Sequence, residues 1–223
     1  MATILCIETT TTNCSVALSV EGIVVSLKEE NDKNYSHAEK LHLFIEEVLV
    51  KSEITKDKLD AIAVSKGPGS YTGLRIGVSA AKGLCFALEI PLISIPTLEA
   101  LACQVKNTDG TIVPMLDARR LEVYSAVFSK DKIQIRDTRA EVLDDHSFTN
   151  YLNEHTIYFI GNGVEKFKSI CKHSNAIFMD QNLPSSNEMG ILAENKHQNN
   201  EFEDVAYFEP YYLKDFIAIP SKK

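Results

Sequence analysis

Long apolar runs are missing from this sequence. Near the N-terminus, Ile4 to Ile7 is an apolar run that Glu8 interrupts and that is too short for a signal peptide. Nowhere do about 20 apolar residues follow one another, as a membrane-spanning helix requires. These absences predict a soluble, cytoplasmic protein, and its 44% hydrophobic content is that of a chain which buries a real core.

Positive charge is also scarce. The 223 residues include 23 lysines and arginines against 31 aspartates and glutamates, which gives a formal net charge of -8. Proteins that bind nucleic acid on their own concentrate positive charge, because they must displace counterions from the phosphates. Direct, tight binding of nucleic acid is therefore disfavoured.

Complete motifs for metal or nucleophilic catalysis are missing as well. The five cysteines form no C-x-x-C pair, and four lie in apolar segments, which favours buried free thiols over redox or metal roles. His37 and His42 are five residues apart, so on a helix they diverge and cannot ligate one metal. The sequence contains neither G-x-S-x-G nor H-E-x-x-H. No catalytic residue and no metal ligand is predicted.

What the sequence does contain is a repeated α/β pattern. In the first half it predicts strands at 3–8, 14–20, 23–29, 59–65 and 91–95, and helices at 37–51, from Thr72 onward and at 97–105. Ser36 and Glu39 form a capping box at the start of the first of these helices. In the second half it predicts strands at 111–117, 121–128, 132–136 and 155–160, and helices up to Cys171 and at 188–194.

The two halves resemble each other. ILCIE, a polar turn and CSVALSV match IVPMLD, a polar turn and EVYSAVF. We interpret this as a degenerate duplication, with two related subdomains at 1–108 and 109–223, each a mixed sheet with helices. Two unrelated meanders remain the alternative.

The glycine-rich stretch SKGPGSYTGLRIGVSAAKG, residues 65–83, invites a phosphate-binding interpretation, but the spacings are wrong. Five residues separate Gly67 from Gly73, where a P-loop has four, and the G-x-G-x-x-G fingerprint is missed by one residue. The start of the following helix is still a possible anion site. With the end of the first strand, its candidate residues are Glu8, Thr9, Thr10, Gly67, Gly69, Ser70 and Arg75.

Carboxylates end the first strand of each half. Glu8 and Asp117 occupy equivalent positions, where paired carboxylates can hold a metal or activate water. Neither following turn has a glycine that would let the backbone approach a phosphate. We therefore favour a structural interpretation, in which Arg119 and Arg120 pair with nearby carboxylates and fill the groove.

Two helices of the first half look suited to docking. The helix at 37–51 is apolar on more than one side, because Leu43 and Val50 lie away from its main stripe. The next helix carries small residues at every fourth position: Gly73, Gly77, Ala81 and Cys85. The pair predicts a surface for a second protein. The alternative is that the small residues rest on the chain's own sheet.

At this point a family resemblance emerges. The segments IETTTTNCSVAL, SKGPGSYTGLRIGVSAAKGL, IPTLEALA, LDARRLEVYSAVF and EPYYLKD occur in the order and over the span seen in the TsaB (YeaZ) family. The resemblance implies two subdomains of the ASKHA fold, the architecture of sugar kinases, Hsp70 and actin. It also implies a role in forming threonylcarbamoyladenosine at adenosine 37 of tRNAs that decode codons beginning with A.

The resemblance implies a non-catalytic partner of TsaD, the paralogue that transfers the threonylcarbamoyl group. It also implies that the ATPase TsaE joins the assembly and that the chain forms homodimers when TsaD is absent. By the same resemblance, tRNA is contacted only through the complex, and ATP or ADP binds at or near the complex interface. TsaD carries two metal-binding histidines where this chain has Thr97 and Leu101, so no metal is expected here. The implied partner interface comprises His37, Leu41, Phe44, Ile45, Val48, Gly73, Ile76, Gly77, Ala80, Ala81 and Leu84.

Two rival hypotheses remain at this stage. The ASKHA resemblance and the positions of Glu8 and Asp117 are compatible with a nucleotide-binding or nucleotide-hydrolysing enzyme, or with a glycoprotease-like peptidase. A tRNA-binding module is the other, and the acidic balance argues against it.

Overall fold

Two five-stranded sheets organise the residues described by the computed structural model, which are 2–32, 37–106, 108–179 and 181–214. The first half contains β1 Thr3–Glu8, β2 Asn13–Val20, β3 Ile23–Asn31, α1 His37–Lys51, β4 Ala61–Gly67, α2 Tyr71–Leu88, β5 Leu92–Pro96 and α3 Thr97–Ala102. The second half contains β6 Thr111–Asp117, β7 Glu122–Phe128, β8 Gln134–Val142, α4 Thr149–Leu152, β9 Ile157–Ile160, α5 Val164–Ile170, β10 Ala176–Met179 and α6 Met189–Gln198.

The two sheets share one topology. Their strand orders are β3-β2-β1-β4-β5 and β8-β7-β6-β9-β10, with the first three strands antiparallel and the last two parallel in each. The predicted α/β class with two related mixed sheets is therefore confirmed, as is the βββαβαβα order of the first half. Ser36 of the predicted capping box lies outside the described residues.

The first sheet is covered by helices on both faces. Because successive side chains of a strand point to opposite faces, nearly every residue of β1, β2, β4 and β5 is buried. One face packs against α1 and α2 through residues that include Leu5, Ile7, Val16, Leu18, Ile62 and Val64. The other packs against α6 through residues that include Ile4, Cys6, Ala17, Ala61, Ala63 and Ile93. The strand segments consequently read as nearly continuous apolar runs.

The second sheet has an aromatic core. The rings of Phe148, Phe159 and Phe167 meet edge to face, with centroids 4.9 to 5.5 Å apart. Such pairs each contribute about 0.5 to 1.5 kcal/mol beyond the area they bury. Arg136 of the outer strand β8 lies over Phe148 and donates a hydrogen bond to the hydroxyl of Ser125 in β7, so a ring contact and a side-chain hydrogen bond both attach β8.

The C-terminal segment, residues 201–214, returns to the first half of the chain. Glu203 forms an antiparallel bridge with Leu92, and Lys82 Nζ donates hydrogen bonds to the carbonyl oxygens of Ala206 and Phe208 at 3.1 and 3.0 Å. The end of the segment then pairs with the second half through Lys214 and Glu122. α6 and this segment belong to the second half of the sequence but pack on the first half of the structure. The division at residue 108 therefore stays a prediction.

The five cysteines are free, and four of them are buried, as the sequence predicted. Burial raises the pKa of the Cys6 and Cys85 thiols to about 12 and that of Cys14 and Cys103 to about 11. These thiols are therefore unreactive near neutral pH. None of the helices in the described residues has the length and apolarity to cross a membrane.

Candidate functional site

The inner face of α1 belongs to the chain's own core. Glu39 in its first turn and Lys51 in its last complement the helix dipole. The five residues that the sequence analysis assigned to a partner interface on this helix are all buried: His37, Leu41, Phe44, Ile45 and Val48. His37 Nε2 lies 2.7 Å from the carbonyl oxygen of Thr11, and burial lowers the pKa of its imidazole. In the isolated chain these side chains are not available to a partner.

The small-residue stripe of α2 faces inward as well. Gly73, Gly77, Ala81 and Cys85 are buried, and a Cβ at Gly73 would overlap the carbonyl oxygen of Thr9 in the β1–β2 turn. The Thr9 hydroxyl donates a 2.7 Å hydrogen bond to the carbonyl oxygen of Gly73. The docking interpretation of the stripe is thereby corrected: small residues are needed because the chain's own turn approaches the helix.

The outward sides of the two helices expose large apolar side chains. Leu43 and Val50 on α1 are 57% and 78% exposed, and Phe86 on α2 is 83% exposed. We call these three residues the outer patch. The other predicted interface residues, Ile76, Ala80 and Leu84, are partly exposed and pack against the core cluster under the helices. The extra apolar character of α1 is therefore uncovered in the single chain.

A cleft lies between the two halves. It holds a cavity of about 720 Å³, with one wall from the β1–β2 turn and the start of α2, and another from the β6–β7 turn. Residues 211–214 of the C-terminal segment also line it. The volume is in the range of small-molecule sites, about 300 to 1,000 Å³.

Glu8 ends β1 behind one wall of the cleft and is completely buried. Its carboxylate accepts hydrogen bonds from the amide and hydroxyl of Thr10 and from the hydroxyl of Ser65. Burial raises its pKa above the ordinary value of 4.5, and these hydrogen bonds oppose the rise. Glu8 therefore orders the β1–β2 turn, and it does not line the cavity.

Replacing Glu8 with glutamine should flatten the pH dependence of stability. The folded state binds the Glu8 proton more tightly than the unfolded state does, so protonation of Glu8 stabilises the folded protein. This contribution is complete below about pH 4.5 and is lost as the pH rises through the folded pKa. Thermal unfolding of the two proteins from acid to neutral pH measures the difference. If the two curves stay parallel, Glu8 ionises in the folded protein as it does in the unfolded chain.

Three of the seven predicted anion-site residues line the cavity: Thr10, Gly69 and Ser70. Gly69 lies against Thr10, and the Ser70 amide donates a 2.7 Å hydrogen bond to the Thr10 carbonyl. Ser70 also caps α2 by accepting from the Gly73 amide at 3.3 Å. The glycine-rich loop is thus held against the β1–β2 turn.

The remaining four predicted anion-site residues serve other contacts. Glu8 and Thr9 are buried in the turn described above. The Gly67 amide donates to the Thr97 hydroxyl at 3.2 Å. Arg75 lies over the ring of Tyr71, with its guanidinium carbon 4.2 Å from the centroid, and hydrogen-bonds to Tyr212. None of these four residues lines the cavity.

The expected pairing of Arg119 and Arg120 with nearby carboxylates is wrong. Asp117 forms a 2.9 Å ion pair with Lys166, and Glu122 pairs with Lys214, so lysines that are distant in sequence neutralise both carboxylates. No ion pair of either arginine is found among the described residues, and both side chains line the cavity. Lys166 and Lys214 are far from these carboxylates in the sequence, so nothing in the sequence indicated that they would pair with them.

Thr97 and Leu101, the positions where the resemblance implies metal-binding histidines in the paralogue, do not fit a metal. Leu101 has no donor atom and is completely buried among apolar side chains. Thr97 is also buried, and its hydroxyl is engaged with the Gly67 amide. These two side chains have a packing role between α3 and its neighbours.

Comparison with known proteins gives a consistent result. Residues 29–221 match the family model described as TsaD, tRNA N6-adenosine threonylcarbamoyltransferase. A relative from Escherichia coli K12, named tRNA threonylcarbamoyladenosine biosynthesis protein TsaB, is 29% identical over 99% of both chains. A relative of the same name from Haemophilus influenzae is 29% identical over 97% of this chain and 95% of its own.

A solved structure extends the likeness to the fold. YeaZ from Pseudomonas aeruginosa superimposes with a TM-score of 0.83 at 26% identity, covering 96% of this chain and all of its own. The shared fold agrees with the ASKHA architecture expected for the two duplicated halves. A family match of this length, together with full-length relatives of one name, means that the chain belongs to the TsaD family and, within it, to the TsaB (YeaZ) group.

Proposed function

We propose that this chain is a non-catalytic subunit for threonylcarbamoyl transfer to adenosine in tRNA, and that it acts by forming a heterodimer with TsaD. The observation that carries the proposal is full-length similarity to proteins named for threonylcarbamoyladenosine biosynthesis. We further propose that the chain acts in the cytoplasm.

The outer patch supports the partner role. Leu43, Val50 and Phe86 lie on two helices that pack on the same face of the first sheet, and each exposes more than half of its side chain. Large apolar side chains exposed on one side of a domain are typical of protein interfaces. The proposed interface consists of the outward residues of α1 and α2, with Ile76, Ala80 and Leu84 at its centre.

The side chains at the would-be catalytic positions support the non-catalytic role. Leu101 offers no metal ligand, Glu8 is buried and engaged in hydrogen bonds, and Asp117 is paired with Lys166. A group that activates water or a metal must be able to reach its substrate. We accordingly assign the chemistry to TsaD, with TsaE joining the assembly, ATP or ADP binding at or near the complex interface and tRNA contacting this chain only through the complex.

Complex formation tests the proposal. The chain and the TsaD of the same organism, mixed at micromolar concentration, should elute together with the mass of a one-to-one heterodimer, and the chain alone should form a homodimer. Separate elution of the two proteins would overturn the proposal. So would ATP or peptide hydrolysis by the isolated chain, since the chemistry would then lie in this subunit.

A further inference from the structure

The C-terminal segment, residues 201–214, is attached to the chain without entering its core. None of its residues is fully buried, and its one strand-like contact is the bridge between Glu203 and Leu92. Val205 and Phe208 pack against the core cluster under α1 and α2, but both stay partly exposed. Segments that bury so little apolar surface open locally at a low free energy, while the core stays folded.

Backbone hydrogen bonds join the segment to the first half at two positions. The Glu203 amide donates to the Leu92 carbonyl oxygen at 2.9 Å, and the Tyr211 amide donates to the Lys66 carbonyl oxygen at 2.7 Å. The hydroxyl of Ser94 also donates to the Glu203 carboxylate. Residues 204–210, which lie between these positions, make no backbone hydrogen bond to the first half in the part of the chain that the structure describes. This stretch therefore depends on side chains for its attachment.

A short turn at residues 204–208 is fastened by Lys82 of α2. The turn is closed by the Phe208 amide, which donates to the Asp204 carbonyl oxygen at 2.8 Å. Lys82 Nζ donates to the carbonyl oxygens of Ala206 and Phe208, at 3.1 and 3.0 Å. An ammonium group is favourable at the carbonyl end of a helical turn, because the carbonyl oxygens there carry partial negative charge. Among the described residues, Lys82 is the only side chain outside the segment that hydrogen-bonds to residues 204–210.

The far end of the segment forms part of the cleft. Residues 211–214 line the cavity, and Lys214 pairs with Glu122 of β7. This ion pair is partly exposed, so it contributes little to holding the segment in place. The ring of Tyr212 lies 5.0 Å from that of Tyr71 at the start of α2, centroid to centroid. The segment thus extends from α2 in the first half to β7 in the second and forms one side of the cavity.

We propose that the C-terminal segment is a movable wall of the cleft, which opens as a unit while both sheets stay folded and which Lys82 holds closed. Opening breaks the two backbone hydrogen bonds, the contacts of Lys82 and the pair of Lys214 with Glu122. It removes residues 211–214 from the cavity lining and uncovers the side of α2 that carries Lys82. Access to the cleft from this side is then controlled by a segment that belongs to neither sheet. The proposal concerns the isolated chain and does not rest on its role with TsaD.

Hydrogen exchange of the full chain, followed by NMR at increasing urea concentrations below the unfolding transition, tests the proposal. The amides of Glu203 and Tyr211 report on the segment, because each donates to the first half. In the wild type we expect both to exchange faster than the amides of β1 and β4, through an opening that urea barely promotes because it exposes little surface. Their protection factors should agree within about threefold, since the segment opens as a unit.

Two variants identify the fastening. K82M removes the ammonium group and keeps the apolar stem of the side chain. K130M is the matched control, because Lys130 is exposed between β7 and β8 and makes no contact with the segment among the described residues. We expect the Glu203 and Tyr211 amides to exchange at least about fivefold faster in K82M, and within about twofold of the wild type in K130M.

Three results would overturn the proposal. If the Glu203 and Tyr211 amides exchange at the rates of β1 and β4, with the same dependence on urea, the segment opens only when the whole chain unfolds. If their protection factors differ by more than about threefold, the segment frays from one end and does not open as a unit. If K82M exchanges as the wild type does, Lys82 is not the fastening.

Discussion

Replacing Gly73 with alanine should destabilise the chain by at least about 3 kcal/mol. The added Cβ would overlap the carbonyl oxygen of Thr9, which is backbone and cannot rotate away. The change would also disturb the hydrogen bond that Thr9 donates to the Gly73 carbonyl. Chemical denaturation followed by circular dichroism measures the loss.

Gly83 on the same helix is the matched control. A Cβ there meets nothing within 4 Å, and the position is exposed. Alanine at Gly83 should therefore stabilise the chain by about 0.5 to 1 kcal/mol, since glycine inside a helix is unfavourable. Equal effects at Gly73 and Gly83 would show that the β1–β2 turn does not approach α2 closely.

These glycines also decide how the partner surface should be probed. Gly77 faces the Thr9 hydroxyl, so a larger side chain there would disturb the β1–β2 turn. A loss of TsaD binding in such a variant would then not report on docking. Variants that test docking belong on the outward side of the helices.

Glutamate at Val50 and Phe86 together should weaken binding to TsaD by at least about 30-fold. Both side chains are more than three-quarters exposed, so the folded state of the single chain should tolerate the charges within about 0.5 kcal/mol. In a complex that covers the outer patch, the same charges would be buried without partners. Calorimetric titration with TsaD measures the affinity.

A glutamate at Val142 serves as the control. Val142 is 67% exposed at the end of β8, in the sheet of the second half. This variant should bind TsaD as the wild type does. If the outer-patch variant also binds unchanged, the interface lies elsewhere on the chain.

Local sequence patterns allowed much of the first half to be predicted. The capping-box pattern placed α1 at 37–51, as observed, and two-sided burial made β1, β2 and β4 recognisable as apolar runs. The repeat of β1–β2 in β6–β7 was visible because both hairpins bury the same positions of the same sheet topology. Short elements such as β10, which has four residues and none fully buried, gave no comparable signal.

Contacts between distant segments could not be predicted. A stripe of small residues indicates a close approach, but the spacing does not say whether the neighbour is Thr9 of the same chain or another protein. Arg119 and Arg120 stand beside Asp117 and Glu122 in sequence, yet Lys166 and Lys214 reach those carboxylates first. The return of residues 201–214 to β5 and α2 likewise depends on packing that only the folded chain reveals.

Transfer of an isotope-labelled threonylcarbamoyl group to tRNA tests the account most directly. The assay compares the chain alone, TsaD with TsaE, and all three proteins together, and mass spectrometry quantifies the modified nucleoside. The account predicts no product from the chain alone and a rate with all three proteins that falls when Val50 and Phe86 carry glutamate. The account would be contradicted if the chain alone formed product. It would also be contradicted if adding the chain to TsaD and TsaE left the rate unchanged.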